Sequence, residues 1–401
     1  MSGKSPVTRY FTTENHERLR EEVREFAEAN VRPRLDELEE SLLAADLSWQ
    51  VAKQGWIGVT IGREYGGMGA GHVAKLVILE EASRVSGAIG AMIQASELGV
   101  AKIINFGSEE QKRRWLPAVA AGDHLPTIAV TGPEAGSYVL AMEASGVWDG
   151  DDYILNGRKV FIGNSHIGTL HGVVVRTEPG NNGLSAFMVE ADRPGLRVEP
   201  QRAALGLAGF SFGELVFENC RVPAANMIGP PGAGKDIAYS SSIVHGRLNL
   251  GGVTLGLHVA LVEDTIKFVK EQQRNGAPMH AIDAVRQQIG EMASRLETGK
   301  ILLYHAAHLL DHDIPCDDLL INAKHRNVEL AQASAKDAKV IHGALGLYPD
   351  LSAIGRYSRD LDHMTHPAGA PFVQQRRMGE YALGLANGHW SERLGANGHT
   401  R

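Results

Sequence analysis

Apolar residues recur every three to four positions from Glu14 to about residue 125. They alternate in short runs from there to about 232, and then return to helical spacing. The first stretch predicts helices at Glu14–Leu43, interrupted by Pro33, at Val73–Val85 and at Ile89–Phe106. Ser108-Glu109-Glu110-Gln111 has the form of a capping box ahead of Trp115 and Leu116. The second stretch predicts strands at 172–175, 184–189 and 214–217, separated by Asp-Gly, Asn-Gly and Pro-Gly turns. The third predicts long amphipathic helices near 240–273, 280–310 and 316–343, suited to a four-helix bundle. The fold class is therefore α+β, mostly α. It comprises an N-terminal helical domain (1–125), a small β-barrel-like middle domain (126–232), a C-terminal four-helix bundle (233–390) and a polar, Gly-rich tail (391–401) expected to fray.

Composition narrows the partners. A chain of 401 residues is too long for one simple core and fits two or three packed domains. The net charge of −7 argues against nucleic acid, which calls for a basic excess. The longest apolar stretch, Leu248 to Val262, contains Asn249, His258 and several glycines, and reads as a buried helix, so no membrane span is expected. The opening residues Met1 to Pro6 lack an apolar signal core. Cys220 and Cys316 stand in no metal-ligand spacing, so reduced thiols and a cytoplasmic setting are expected. His363 and His366, with Asp360 and Asp362 before them, come nearest to ligand spacing. A polar turn before Pro367 explains them better, and no metal is expected.

Two short segments carry the chemistry. Thr131-Gly132-Pro133-Glu134-Ala135-Gly136-Ser137 is a Gly-rich turn with a hydroxyl at each end, whose backbone N–H groups can face a phosphate or a ring carbonyl. Asn156-Gly157-Arg158-Lys159-Val160-Phe161-Ile162-Gly163-Asn164 is a polar turn that feeds apolar residues and an aromatic. Together they resemble the flavin-holding strands of the acyl-CoA dehydrogenase family. Other segments match the family in the same order: Glu64-Tyr65-Gly66-Gly67-Met68-Gly69, Phe106 to Lys112 with Leu116-Pro117, Gly206 to Gly209, Glu214 to Pro223, and Arg359-Asp360. The similarity runs over nearly the whole chain.

The resemblance implies FAD. Val130, Thr131, Gly136 and Ser137 fall where the family contacts the flavin edge and the pyrophosphate. Phe161 takes the place of the usual tryptophan on the ring, followed by Ile162, Gly163 and Asn164. Ala368 and Gly369 fall in the loop that reaches the reacting centre. In this family part of the FAD crosses to a neighbouring subunit, so a homodimer or homotetramer is implied. The corresponding elements are Arg274 and Asn275 before Gly276, and Gly343 to Gly346; simple helix termination explains these glycines equally well. The substrate implied is an acyl group carried by CoA or by a carrier protein, or free, with an electron-transfer partner or O2 taking the electrons.

The chain departs from the family where the family removes its proton. The glutamate usual after the Arg-Asp element falls on Ala368. The alternative position, just before an Arg-Leu pair, is Gly246, ahead of Arg247-Leu248. Gly163 replaces the hydroxyl residue that faces flavin N5, and Gly132 and Tyr138 replace acidic residues of the first flavin segment. Losing a general base costs about 10²–10⁴-fold.

Three explanations follow. Another residue is the base: His366 first, then His245, then Glu97, with Arg247 completing the candidate catalytic set. Each of these also reads as a polar residue of the pocket. Alternatively, loss of CO2 from the substrate creates the carbanion. In the third, the enzyme is a flavin monooxygenase, with open space at Gly163 and Ala368 to suit an oxygen adduct. The expected function is a FAD-dependent oxidoreductase of specialised metabolism acting at Cα–Cβ by an atypical route. A dedicated monooxygenase and a non-catalytic scaffold are the alternatives.

Overall fold

The computed structural model describes residues 6–274, 276–349, 351–386 and 388–394. Asn275 and residues 395–401 of the tail lie outside the described residues. After a short helix, Pro6–Phe11, the N-terminal region runs through Glu14–Phe26, Leu35–Glu40, Ala45–Ala52, Gly71–Val85, Gly87–Phe106 and Glu109–Ala120. Between Glu14–Phe26 and Leu35–Glu40, a π turn Ala27–Val31 and a 3-10 turn Arg32–Arg34 absorb Pro33, which sits in the first turn of its segment, where its missing N–H costs nothing. Ser108 caps the last helix: its Oγ accepts from Gln111 N at 3.2 Å, and Gln111 Oε1 accepts from Ser108 N at 3.0 Å.

The middle region is one sheet of eight strands: β1 Pro126–Ala129, β2 Ser145–Asp149, β3 Asp152–Gly163, β4 Leu170–Arg176, β5 Leu184–Glu190, β6 Leu196–Val198, β7 Phe212–Pro223 and β8 Met227–Ile228. The hydrogen-bonded order is β6-β7-β3-β2-β4-β5-β8, with β1 running parallel beside β4. The path ends at β6 and β8, strands of three and two residues, so the barrel-like curl stays open and its edges stay short. Between β3 and β7 the register shifts twice, at 155/157 and at 159/162. The second bulge turns the Phe161 segment out of the ladder.

The C-terminal region is built on Arg247–Glu271, Asp283–Asp311 and Asp317–His342, with Ile354–His363 and Pro371–Ala382 packed against the last of these. Arg247–Glu271 lies at the centre, where a Cβ at Gly252 would stand 3.0 Å from Leu76 Cδ1 and Leu79 Cβ. That close approach locks the N-terminal and C-terminal helices into one core. A second core fills the sheet interior around Leu155, Phe187 and Phe217. Helix Gly87–Phe106 is apolar and long enough to cross a membrane, but 89% of that window is buried inside the protein.

The tail does not fray at once after Trp390. A short helix, Trp390–Leu394, is tied to the buried Asp317. Asp317 accepts from Trp390 N at 2.6 Å and from Ser391 N at 3.0 Å, and the Trp390 ring stacks on Tyr239 at 5.8 Å. The polar composition gave no warning of that buried carboxylate anchor.

Candidate active site

The Gly-rich turn Thr131 to Ser137 hangs from the end of β1. Val160 N donates to Thr131 O at 2.9 Å, and Gly132 and Ala135 close the turn on each other. Lys159 Nζ donates to Val130 O at 2.8 Å from beneath. Burial pushes the Lys159 ammonium down to about 7, against the pull of Glu134. A Cβ at Gly136 would meet no atom within 4 Å, so the outer side of the turn is open, with Ser137 exposed beside it.

Phe161 holds φ at 59° and leaves 69% of its surface exposed, 5.9 Å from the stacked ring of Phe212. A left-handed phenylalanine costs roughly 1–3 kcal/mol and persists only where the surroundings impose it. Ile162, next to it, turns into the core. Asn164, also at φ 59°, is buried; its Nδ2 donates to Met92 O at 2.8 Å and to Ser96 Oγ at 2.9 Å, and its Oδ1 has no donor. An open Gly turn, a displayed aromatic wall and an orphaned amide oxygen fit a flat ring with a phosphate tail. Gly163 is different from expectation. A Cβ there would stand 2.9 Å from Ala95 Cβ and 3.0 Å from Phe210 Cζ, so there is no open space at this glycine. Close packing of helix Gly87–Phe106 under the strand explains the glycine.

The two vacant glutamate positions converge. Gly246 ends a π-helical turn, Ser241–Gly246, and a Cβ there would lie 3.3 Å from Ala368 Cβ and 3.8 Å from Leu98 Cδ2. Residues 122 positions apart therefore address one point, and neither brings a carboxylate. Ala368 holds φ at 54° and Gly369 at 111°. The loop is fixed from behind. Gln374 Nε2 donates to Ala368 O and Gly369 O, both at 3.0 Å, and Lys324 Nζ donates to Thr365 O at 2.8 Å. Arg247 Nε donates to Gln374 Oε1 at 2.9 Å, while Arg247 Nη1 is buried without a partner. Burial pushes Arg247 down to about 10 and Lys324 to about 7, the second helped by the first. The backbone N–H of Ala368 takes no part in these bonds.

The candidate bases differ in setting. His366 is exposed, two residues before Ala368. His245 is buried beside Gly246, its Nε2 3.1 Å from Asn105 Nδ2 and its ring 5.7 Å from that of His72. Burial holds both His245 and His72 well below the ordinary histidine range, so both are neutral. Glu97 is buried and pushed up by burial, with Lys75 opposing; its Oε2 accepts weakly from Thr60 at 3.5 Å. The sequence reading missed Lys75, His72, Asn105, Lys324 and Gln374. A lone lysine inside the apolar run Val73 to Leu79 was the available signal for the first.

Arg274 is exposed in a two-strand turn, and its Nη1 donates to Gln273 O. Gly343 ends its helix at φ 59°, and Gly346 is buried against His342. A cavity of about 660 Å³ opens beside Ser137 and Tyr138 and is lined by Tyr239, Ile243, Arg377 and Tyr381. Its wall includes Ile243, three residues before Gly246. Among the described residues no three His, Cys, Asp or Glu side chains gather in metal-binding proximity.

Comparison with known proteins places this geometry. Residues 13–123 match the family described as acyl-CoA dehydrogenase, N-terminal domain; residues 127–220 match its middle domain and 232–383 its C-terminal domain. The chain is similar to an acyl-CoA dehydrogenase of Bacillus subtilis (strain 168), 32% identical over 376 residues, covering 93% of this chain and 99% of that one. It is similar in structure to butyryl-CoA dehydrogenase from Megasphaera elsdenii, with TM-score 0.90 and 25% identity over 93% of this chain and 99% of that one. It is similar also to the prolyl acyl carrier protein oxidase AnaB, with TM-score 0.86 and 26% identity over 92% and 99%.

Proposed function

The chain belongs to the acyl-CoA dehydrogenase family, and from that premise we propose that it oxidises an acyl thioester at Cα–Cβ without the family's glutamate base. It is a FAD-dependent oxidoreductase, and FAD when bound supplies the two-electron acceptor. Val130 to Ser137 would hold the cofactor's ring edge and pyrophosphate, and Phe161 its flat face. The observation that carries the proposal is the meeting of Gly246 and Ala368, 3.3 Å apart at the Cβ level with no carboxylate from either.

The remaining groups take up parts of the task. Gln374 and Lys324 hold the loop through its carbonyls and leave the Ala368 N–H out of those bonds, available to polarise a thioester carbonyl. His366, exposed at the start of that loop, takes the α-proton; Pro367 restricts its backbone to extended conformations. The cavity beside Ser137 admits a phosphopantetheine arm, with Lys235, Arg376 and Arg377 at its lining for the phosphate. The arm belongs to CoA or to a carrier protein; AnaB, a prolyl acyl carrier protein oxidase, supports the second source. Electrons leave to an electron-transfer protein or to O2. Exposed Val340, Leu347, Tyr348 and Leu351 beside Gly343 support a homo-oligomeric interface there.

The test is a pair of variants, His366→Gln and His245→Gln, assayed for flavin reduction on the true substrate. A loss of about 10²-fold or more confined to His366→Gln, with flavin retained, supports the histidine route. Near-normal rates in both exclude it and leave decarboxylation of the substrate as the base-free route.

A further inference from the structure

Orphaned polar atoms gather around the middle of helix Gly87–Phe106. Gln94 Oε1, Glu97 Oε1, Asn249 Oδ1 and His72 Nδ1 have no hydrogen-bond partner among the described residues. All four side chains are more than nine-tenths buried. Buried polar atoms are nearly always paired, so four in one patch call for a partner from outside the chain.

Their place in the fold says what that partner is. Ala95 is the residue a Cβ at Gly163 would meet, and Leu98 borders the point where Gly246 and Ala368 converge. Gln94 and Glu97 sit on the same helical turn, between and beside these two contacts. Asn249 lies one turn beyond Gly246 and donates to Gln94 O at 3.4 Å. His72 faces His245, the neighbour of Gly246. The patch is therefore contiguous with both the flavin edge and the reacting point.

Its charge is nearly balanced. The Lys75 ammonium interacts with the carboxylates of Glu97 and Asp311. Asp311 is committed to the helix start, accepting from His72 N at 2.5 Å and Val73 N at 3.0 Å. The two histidines are neutral through burial. Gln94 Oε1 and Asn249 Oδ1 can only accept, and neither is offered a hydrogen, while burial pushes the Glu97 carboxyl up to about 8 with Lys75 opposing. A plain hydrocarbon chain lying here would leave those oxygens unpaired.

We propose that this patch is the floor of the acyl site and selects an acyl group bearing a hydrogen-bond donor, a hydroxyl or an amine. Glu97 is the principal acceptor, with Gln94 and Asn249 beside it. The inference rests on the acyl-thioester reading above, and the two are separable by experiment. FAD-loaded protein is titrated with CoA thioesters of butyryl and hexanoyl backbones ending in a methyl, hydroxyl, amine or carboxylate. Binding is read anaerobically from perturbation of the visible flavin spectrum, before turnover.

Hydroxyl- or amine-ended thioesters are expected to bind about tenfold tighter than methyl-ended ones, the effect of one buried hydrogen bond. The better of the two ends identifies the donor. Glu97→Leu should abolish the preference, and Glu97→Gln, which keeps an acceptor oxygen, should retain most of it. Equal binding of all ends, or preference for methyl or carboxylate, overturns the inference while leaving the acyl-thioester reading intact. No spectral response to any thioester overturns both.

Discussion

Replacing Ala368 by glutamate returns a carboxylate to the point where Ala368 and Gly246 meet. The backbone there already holds φ at 54° with a Cβ in place, so the larger side chain adds no new left-handed penalty. The buried, unpaired Nη1 of Arg247, whose Nη2 would lie 3.9 Å from a Cβ at Gly369, supplies a nearby cation to offset the desolvation of the new carboxylate. A positioned general base is worth about 10²–10⁴-fold, or roughly 3–5 kcal/mol of barrier. The assay is anaerobic stopped-flow of FAD-loaded protein with butyryl-CoA and octanoyl-CoA. Flavin reduction in Ala368→Glu is expected to rise by about 10²-fold or more over the parent. Gly246→Glu should gain less, because its Cβ would stand 3.2 Å from Ser241 O and 3.3 Å from Ala368 Cβ. If neither variant gains while both keep full flavin occupancy, the vacancy is not what limits the reaction and the reasoning fails.

Ser137→Leu should lower flavin occupancy, measured as the visible-to-ultraviolet absorbance ratio of purified protein, because it removes a hydroxyl and crowds the open side of the turn at Gly136; unchanged occupancy would contradict the assigned cradle. Light scattering of the FAD-loaded protein should give a dimer or tetramer, and Leu347→Asp with Leu351→Asp should shift it toward monomer, since both are exposed apolar residues beside Gly343. Burial pushes His171 and His258 down to about 3, with Lys102 adding to the first and Arg295 and Lys300 to the second. Their folded-state values lie below the unfolded value of about 6.5, so the unfolded chain binds protons first. Stability is complete above pH 6.5 and is lost as pH falls toward 3, by roughly 4–5 kcal/mol per group over the whole window. Denaturant midpoints flat from pH 7 to pH 4.5 would refute that assignment.

Helix and strand placement was legible because the apolar spacing and the turn chemistry agree. The Ser108 capping box, the runs at 172–175 and 184–189, and the break at Pro126 all appear as elements in the structure. Both vacant base positions could be counted off family motifs. Their convergence could not, because it depends on how the π turn at Ser241–Gly246 meets a loop more than a hundred residues later. Helix Gly71–Val85 shows a second limit. Lys75, Glu80 and Glu81 suggest an exposed face, yet all three are buried. Glu80 and Glu81 are paired by Arg20, Arg24 and Tyr304 from distant segments, with Arg20 Nη1 on Glu81 at 2.6 Å. Lys75 instead is buried where it interacts with Glu97 and Asp311, a placement that only tertiary contact reveals. Gly163 misled in the other direction, since a glycine read as open space is filled by Ala95 and Phe210.

The central claim is that acyl oxidation here runs without a glutamate at position 246 or 368. Its most direct test is anaerobic mixing of the FAD-loaded parent protein with a series of saturated straight-chain acyl-CoAs, following the visible flavin band. The account predicts that the flavin stays largely oxidised with every member of the series. Rapid, stoichiometric bleaching with any one of them would show that the two vacant glutamate positions do not limit oxidation of an ordinary acyl chain, and would contradict the account.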